Sequence, residues 1–458
     1  MRKTEISYYS TNKTAPEVTF REALLKGLAP DGGLYMPTRF PVLTKEELGS
    51  FSDLPYHDIA FTILNKFIGH DEIPADDLRK LCRDAYDFDV PLEKVYERKF
   101  ILRLDNGPTA SFKDFAARMM SRLMQYYLSS ENKHLTILTA TSGDTGSAVA
   151  SAFYGLENIT VIILFPISEV SLMQRKQMTT LNKNIRVIAL DGKFDDCQRL
   201  VKEAFRDSSL SHIPLSSANS INIGRLLPQS IYYFYAWSKL ASGSDDKAIF
   251  SVPSGNFGNL MAGLIARKMG LPVKKFIIST NMNDEVPEFI RTGNYKVINP
   301  SKNSISSAMN VGHPSNLSRI VALYGGRMDE TGLIVELPDI ESMRSDFFAT
   351  SVSDNEIRQT ISEIYNRHNI IIEPHGATAW QAINEYTRLH NSENEENQLF
   401  ISLETAHPAK FPEEVQKIIK ADPPVPHSLK VINDLTENYF PLTNNFGKLK
   451  EFILKNYK

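Results

Sequence analysis

Three short loops carry side chains whose types and spacing suit covalent and anion chemistry: GPTASFKD at Gly107–Asp114, TSGDTGS at Thr141–Ser147 and SGNFGN at Ser254–Asn259. Lys113 follows a Gly-Pro turn and opens an amphipathic stretch. A helix N-terminus and a partly desolvated loop both favour its neutral amine, the form a Schiff-base nucleophile needs. A solvated surface charge is the commoner role for a lysine in such a place, and it stays open here. SGNFGN follows the apolar run AIFSV and opens a helix, so its backbone N–H groups and the helix dipole make a phosphate cradle, with Gly255 and Gly258 allowing close approach. A tight strand-to-helix turn without a ligand accounts for the same residues, and neither the P-loop pattern nor the full three-glycine dinucleotide pattern is present. In TSGDTGS, Asp144 either caps the following helix, the commoner role for an aspartate there, or faces a ligand. NSINIGR at Asn219–Arg225 brings amides, a hydroxyl and a guanidinium within two helical turns. That makes a candidate second anion site, with an exposed arginine at a helix start as the plain alternative. His375 in EPHGA and His407 in TAHPAKF have no carboxylate or thiol at ligand spacing. Structural or hydrogen-bonding roles are expected of them, and no metal site.

The elements that must position these loops alternate. Short β-rich runs at Phe100–Leu104, Leu135–Thr141, Ile159–Phe165, Ile185–Leu190, Ala248–Val252, Phe276–Ser279 and Phe400–Leu403 are separated mostly by amphipathic helices. This predicts parallel βαβ units, an α/β fold whose ligands collect at the carboxyl ends of the strands. The helix after Lys113 shows one apolar stripe, Phe115, Met119, Leu123 and Tyr127. Residues 1–95 read as short amphipathic helices, among them Thr19–Leu28 and Ala75–Ala85, around the turn-rich GLAPDGGLYMP at 27–37. A small helical N-terminal domain is expected there, followed by a two-lobed catalytic region over 96–458. Within that region, 281–354 reads as a less regular insertion, and 422–458 as a wrapping segment closed by a helix over Lys448–Tyr457.

Composition limits the partners. The 458 residues are 42% hydrophobic and 23% charged, ordinary globular values that exclude disorder, collagen-like repeats and disulfide scaffolds. Lys and Arg number 51 against 54 Asp and Glu, a net charge of −3, so there is no broad basic field for nucleic acid or acidic lipid. The two cysteines, Cys82 and Cys197, lie far apart with no CxxC spacing, against both a zinc site and oxidative stapling. The N-terminal stretch lacks an apolar signal core, and the most apolar run, Ile159–Phe165, falls far below the ~18 residues of a membrane span. A cytoplasmic monomer or weak dimer acting on a small molecule is expected.

Taken in order along the chain, the motifs decide what none decides alone. GLAPDGGLYMP at 27–37, GPTASFKDFAAR at 107–118, TSGDTGSAVA at 141–150, QMTTL at 177–181, FDDCQ at 194–198, NSINIGR at 219–225, SGNFGN at 254–259 and TAHPAKF at 405–411 together span nearly the whole sequence. In this the chain resembles the threonine synthase family, pyridoxal-phosphate enzymes of fold type II with the tryptophan synthase β-like architecture. The resemblance implies that Lys113 binds pyridoxal 5'-phosphate as a Schiff base, that Gly255, Asn256, Phe257, Gly258 and Asn259 hold its phosphate, and that Thr405 faces the pyridine nitrogen. It further implies that Thr141, Ser142, Gly143, Asp144 and Thr145 take the substrate α-carboxylate, with Asp144 near the ring hydroxyl, and that Asn219, Ser220 and Arg225 take the substrate phosphate. The implied reaction turns O-phospho-L-homoserine and water into L-threonine and phosphate. Phosphate leaves from Cγ, water adds at Cβ, and Lys113 shuttles protons at Cα and Cβ. Two positions depart from the family pattern: Asp105-Asn106 before GPT, and Glu404 before Thr405. A serine or threonine dehydratase of the same fold is the alternative, but it needs no second phosphate pocket. Against a non-catalytic binding protein that retains the fold and the cofactor stand the intact Lys113, SGNFGN and Thr405.

Overall fold

A run such as ITVIILFP, apolar at nearly every position, is satisfied as a strand only when both faces are covered. In the computed structural model, which describes residues 6–69, 71–390 and 397–457, Ile159–Pro166 is buried throughout and forms the central strand of a five-stranded parallel sheet. Its neighbours are Leu135–Ala140 and Ile185–Asp191, with Leu215–Ser216 and Phe440–Thr443 at the edges. A second, six-stranded sheet runs in the order Phe347–Ser351, Val273–Thr280, Ala248–Pro253, Leu399–Glu404, Lys99–Arg103 and Leu92–Tyr96. All its pairings are parallel except the last, a hairpin.

The long helix Lys113–Glu131 shows how the layers are held. Phe115, Met119, Leu123 and Tyr127 form its buried stripe, each at most 3% exposed, and each contributes roughly 1.5–3 kcal/mol by leaving water. The N-terminal segment supplies the helices Phe20–Lys26, Lys45–Ser50, Tyr56–Leu64 and Ala75–Ala85 and a two-stranded pair, Tyr8–Ser10 with Tyr35–Pro37. Its apolar side chains run continuously into the main core, where Phe51 meets Phe234 edge-on and Tyr56 packs against Phe115.

Two stretches are more ordered than their sequence implies. The end of the 281–354 stretch, Phe347–Ser351, is an edge strand registered on Phe276–Thr280, so this segment completes a sheet as well as forming surface turns. In the C-terminal wrap, Phe440–Thr443 pairs with Ile188–Asp191, and the closing helix Phe446–Asn456 buries Leu449 and Ile453 in the cluster holding Cys197, Leu200 and Val201. No helix among the described residues is long and apolar enough to cross a membrane.

Candidate active site

Three adjacent strands of the six-stranded sheet, Ala248–Pro253, Leu399–Glu404 and Lys99–Arg103, point their carboxyl ends the same way. The loops leaving those ends are SGNFGN, TAHPAKF and GPTASFKD. TSGDTGS leaves the carboxyl end of Leu135–Ala140 in the other sheet. Loops from both sheets thus meet between the lobes, where a parallel fold gathers ligands. Phe112 N–H donates to Thr405 O at 2.9 Å and His407 N–H to Ala110 O at 3.0 Å, which ties the Lys113 loop to the Thr405 segment. The cleft so formed is lined by Lys113, Asp144, Thr145, Ser220, Arg225, the whole of Ser254–Asn259 and Thr405. Phe112, Gln229, Pro253, Ala308, Met309, His375 and Ala406 complete it.

Lys113 opens its helix and sends its Nζ to 3.8 Å from Asp144 Oδ2, beyond hydrogen-bonding distance. Burial lowers its pKa to about 8; the carboxylate of Asp144 opposes that shift, and the nearby charges of Lys410 and Arg225 reinforce it. Asp144 does not cap its helix. Thr141 does that work, its Oγ1 accepting from Gly143 N–H at 2.9 Å and Gly146 N–H at 2.8 Å. Asp144 Oδ1 instead receives Lys410 Nζ at 2.6 Å and Gln174 Nε2 at 2.9 Å. Burial resists ionisation of this carboxyl, but Lys410 and Lys113 outweigh it and hold it well below the usual carboxylate range.

The anion-binding features are equally specific. Phe257 adopts φ +59° just before the helix Gly258–Lys268, turning the chain so that this helix begins at the cleft. A Cβ on Gly255 would stand 2.9 Å from Ala308 O and 3.0 Å from Met309 Cα, so backbone packing excludes any side chain there. Asn259 Oδ1 accepts from Tyr232 Oη at 2.5 Å and Tyr233 Oη at 2.7 Å, which fixes the amide and leaves its buried Nδ2 without a partner. Arg225 is 2% exposed; its Nη1 donates to Ala218 O at 2.6 Å while its buried Nε has no partner. Burial brings its pKa down to about 10, against the pull of Asp114. An unmade buried hydrogen bond costs about 1–3 kcal/mol, so two orphaned donors on one cleft mark the place of an acceptor-rich ligand.

Four of the residues expected at the site stand behind the cleft wall. Thr141, Ser142 and Gly143 shape the loop before Asp144, and Asn219 donates its Nδ2 to Ala140 O at 2.8 Å, tying NSINIGR to the other strand end. Sequence reasoning passed over Gln229, Met309, Glu373 and Lys410. It also denied His375 a carboxylate partner, yet Glu373 lies two residues before it. The Glu373 carboxylate caps the helix Pro374–Leu389 and bonds His375 Nδ1, while His375 Nε2 accepts from Ala308 N–H at 3.0 Å. That network fixes the proton of a neutral imidazole on Nδ1. Thr405 Oγ1 donates to Glu373 Oε1 at 3.4 Å. An Xaa-Pro-His reading with an acidic first residue, a cap signal, was the clue available. Of the positions that depart from the family pattern, Asp105 and Glu404 belong to one buried cluster, while Asn106 is exposed. Asp105 pairs with Arg103 at 2.6 Å, and Glu404 Oε1 accepts from Glu373 N–H at 2.7 Å. Burial, and then the neighbouring Glu373, raise the Glu404 pKa well above the usual value.

Fold and site together define a class, the pyridoxal-phosphate-dependent enzymes built on parallel-sheet lobes, and the corresponding family model, "Pyridoxal-phosphate dependent enzyme", matches residues 91–403. The models "Threonine synthase N terminus" and "Threonine synthase, C-terminal" match residues 7–86 and 377–453. The chain is 40% identical over 451 residues to threonine synthase of Buchnera aphidicola subsp. Acyrthosiphon pisum, covering 98% of this chain and 99% of that one. Among solved structures, pyridoxal-phosphate-bound threonine synthase from Brucella melitensis superposes with a TM-score of 0.91 at 34% identity, covering 99% of this chain and all of that one. The Escherichia coli threonine synthase structure gives 0.87 at 37% identity over 98% of this chain and 99% of its own. The chain belongs to the threonine synthase family and uses pyridoxal phosphate.

Proposed function

We propose that this cleft converts O-phospho-L-homoserine and water into L-threonine and phosphate, with Lys113 as the residue that holds the cofactor and moves the protons. The observation that carries the reading is the pairing, in one cleft, of a buried lysine of lowered pKa with two separate sets of anion donors. The residues fit pyridoxal phosphate: an amine at the cleft floor, a glycine-bounded helix start, and an orphaned Asn259 Nδ2 where phosphate oxygens would accept. When bound, the cofactor supplies an electron sink for charge developing at the substrate Cα.

The chain's own residues do the rest. Gly255–Asn259 hold the cofactor phosphate on backbone N–H groups and the helix dipole. Lys113 takes the Cα proton as a neutral amine, a role its pKa near 8 suits at neutral pH, and carries protons to and from Cβ. Thr145, at the start of the helix Asp144–Phe153 and positioned by the loop Thr141–Gly143 behind it, receives the α-carboxylate. Arg225, with Ser220, binds the substrate phosphate and stabilises the charge that grows as it departs. Thr405, backed by Glu373, faces the ring nitrogen. The segment up to about residue 95 is a family-specific N-terminal domain whose apolar side chains pack into the main core. A cytoplasmic setting accords with two buried free cysteines, of which Cys82 has its thiol pushed up to about 12 by burial.

Incubating the purified protein with O-phospho-L-homoserine tests this. Threonine and phosphate should appear in equal amounts. No turnover of O-phospho-L-homoserine, together with release of ammonia and a 2-oxo acid from L-serine or L-threonine, would favour the dehydratase reading.

A further inference from the structure

Lys410, next to last in TAHPAKF, closes a short turn over Pro408–Lys410 remote in sequence from both Lys113 and Asp144. Its side chain is fully buried, and its ammonium reaches two acceptors, Asp144 Oδ1 at 2.6 Å and Thr109 O at 2.9 Å. Burying an ammonium costs several kcal/mol unless it is paired, and here the pairing is spent inside the reaction cleft. Asp144 is therefore shared unequally by two lysines. Lys410 and Gln174 occupy Oδ1, while Lys113 stands 3.8 Å from Oδ2 without a hydrogen bond.

We propose that Lys410 is a positioning residue for the reaction: by neutralising Asp144 and turning its carboxylate away, it prevents a closed Lys113–Asp144 ion pair and leaves Lys113 a free base. The inference rests on the reading of Lys113 given above. The charged groups facing Lys113 are Asp144 at the start of the helix Asp144–Phe153, Lys410 on its turn, Arg225 on the turn Ile223–Arg225, and Glu373 before the helix Pro374–Leu389. Burial is the largest influence on Lys113, Asp144 opposes it, and Lys410 is the next group that favours the neutral amine. Removing the Lys410 charge acts twice in the same direction. It withdraws a like charge from Lys113, and it frees Asp144 Oδ1 to attract the Lys113 proton.

The test is the titration of Lys113 in the full-length chain freed of cofactor. Trace labelling of amines with acetic anhydride between about pH 6 and 11, read by peptide mass spectrometry, gives the midpoint for Lys113 directly. The parent should titrate near 8. Lys410→Met should move the midpoint up by at least about one unit, roughly tenfold less neutral amine at pH 7, and Lys410→Arg should restore it. A folded Lys410→Met protein with the parental midpoint overturns the proposal, as does an Arg variant shifted as far as Met. Lys410→Gln, uncharged but able to donate to Asp144, serves if Met does not fold. If neither uncharged variant folds while Arg does, Lys410 is a structural cation and the proposal fails. Because the label reads the free amine of Lys113 in the cofactor-free chain, whichever lysine holds the cofactor when it is present, a failure here is separable from a failure to find the cofactor on Lys113.

Discussion

Arg225→Lys separates charge from geometry at the second anion site. The guanidinium is 2% exposed, spends Nη1 on Ala218 O, and keeps a buried Nε with no partner. Its remaining N–H groups can meet a phosphate in the planar, two-pronged way open to arginine alone. A lysine keeps the charge but offers a single point contact, so one charge-assisted hydrogen bond to the departing phosphate is lost. Such a bond is worth about 1.5–3 kcal/mol, which converts to a drop of roughly 10- to 150-fold in kcat/KM for O-phosphohomoserine. The cofactor's absorbance and its dissociation constant should stay at parental values, because the cradle at Ser254–Asn259 lies on a different element. Steady-state kinetics with coupled phosphate detection, beside a cofactor titration, reads both. Parental kcat/KM in the variant would refute the assignment, and equal loss of cofactor affinity would show that Arg225 supports the whole cleft and not one ligand.

Three other perturbations have definite outcomes. A Cβ on Gly376 would stand 1.6 Å from Glu404 Oε2, so Gly376→Ala should lower stability by about 1–3 kcal/mol in urea unfolding; an unchanged midpoint would mean that Glu404 moves freely. Asp144→Asn removes the only charged partner of buried Lys410 among the ion pairs of the described residues, leaving Thr109 O as a neutral acceptor, and should cost about 3–5 kcal/mol at neutral pH. Because the folded-state pKa of Asp144 is lowered, that stability is fully present above the unfolded carboxyl value, about 3.9, and is lost as pH falls through the folded one. A loss below about 1 kcal/mol at pH 7 would count against the ion pair. Thr405→Val removes a hydroxyl that contacts Glu373 at 3.4 Å and should shift the cofactor's absorption in a stably folded protein, whereas a parental spectrum would take Thr405 out of the site.

How far the site was legible follows from where its signals lie. GPTASFKD, TSGDTGS and SGNFGN each follow a strand and precede a helix within one βα unit, so local pattern and turn chemistry announce them. The loops therefore converge as the alternation of strands and helices requires. Lys410 and Gln174 carry no such local signal, and the cap signal of Glu373 does not announce its contact with Thr405; all three reach the residues of the cleft through tertiary packing of chain segments far apart in sequence. Asp144 misled for a related reason: an aspartate at a helix start usually caps it, but Thr141 had already taken that task. The strands missed in the sequence are short edges. Phe347–Ser351 is mostly half-buried and Phe440–Thr443 mostly exposed, so neither shows the apolar run or clean alternation that marks a covered strand. Asp105 and Glu404, departures when read singly, share Arg103, whose charge bears on both.

The central claim is that Lys113 holds the cofactor. Reduction of the purified, cofactor-loaded protein with borohydride, followed by peptide mass mapping, tests it directly. A single pyridoxyl-phosphate adduct on Lys113 is the predicted result. An adduct on Lys410 or any other lysine, or none at all, would contradict it.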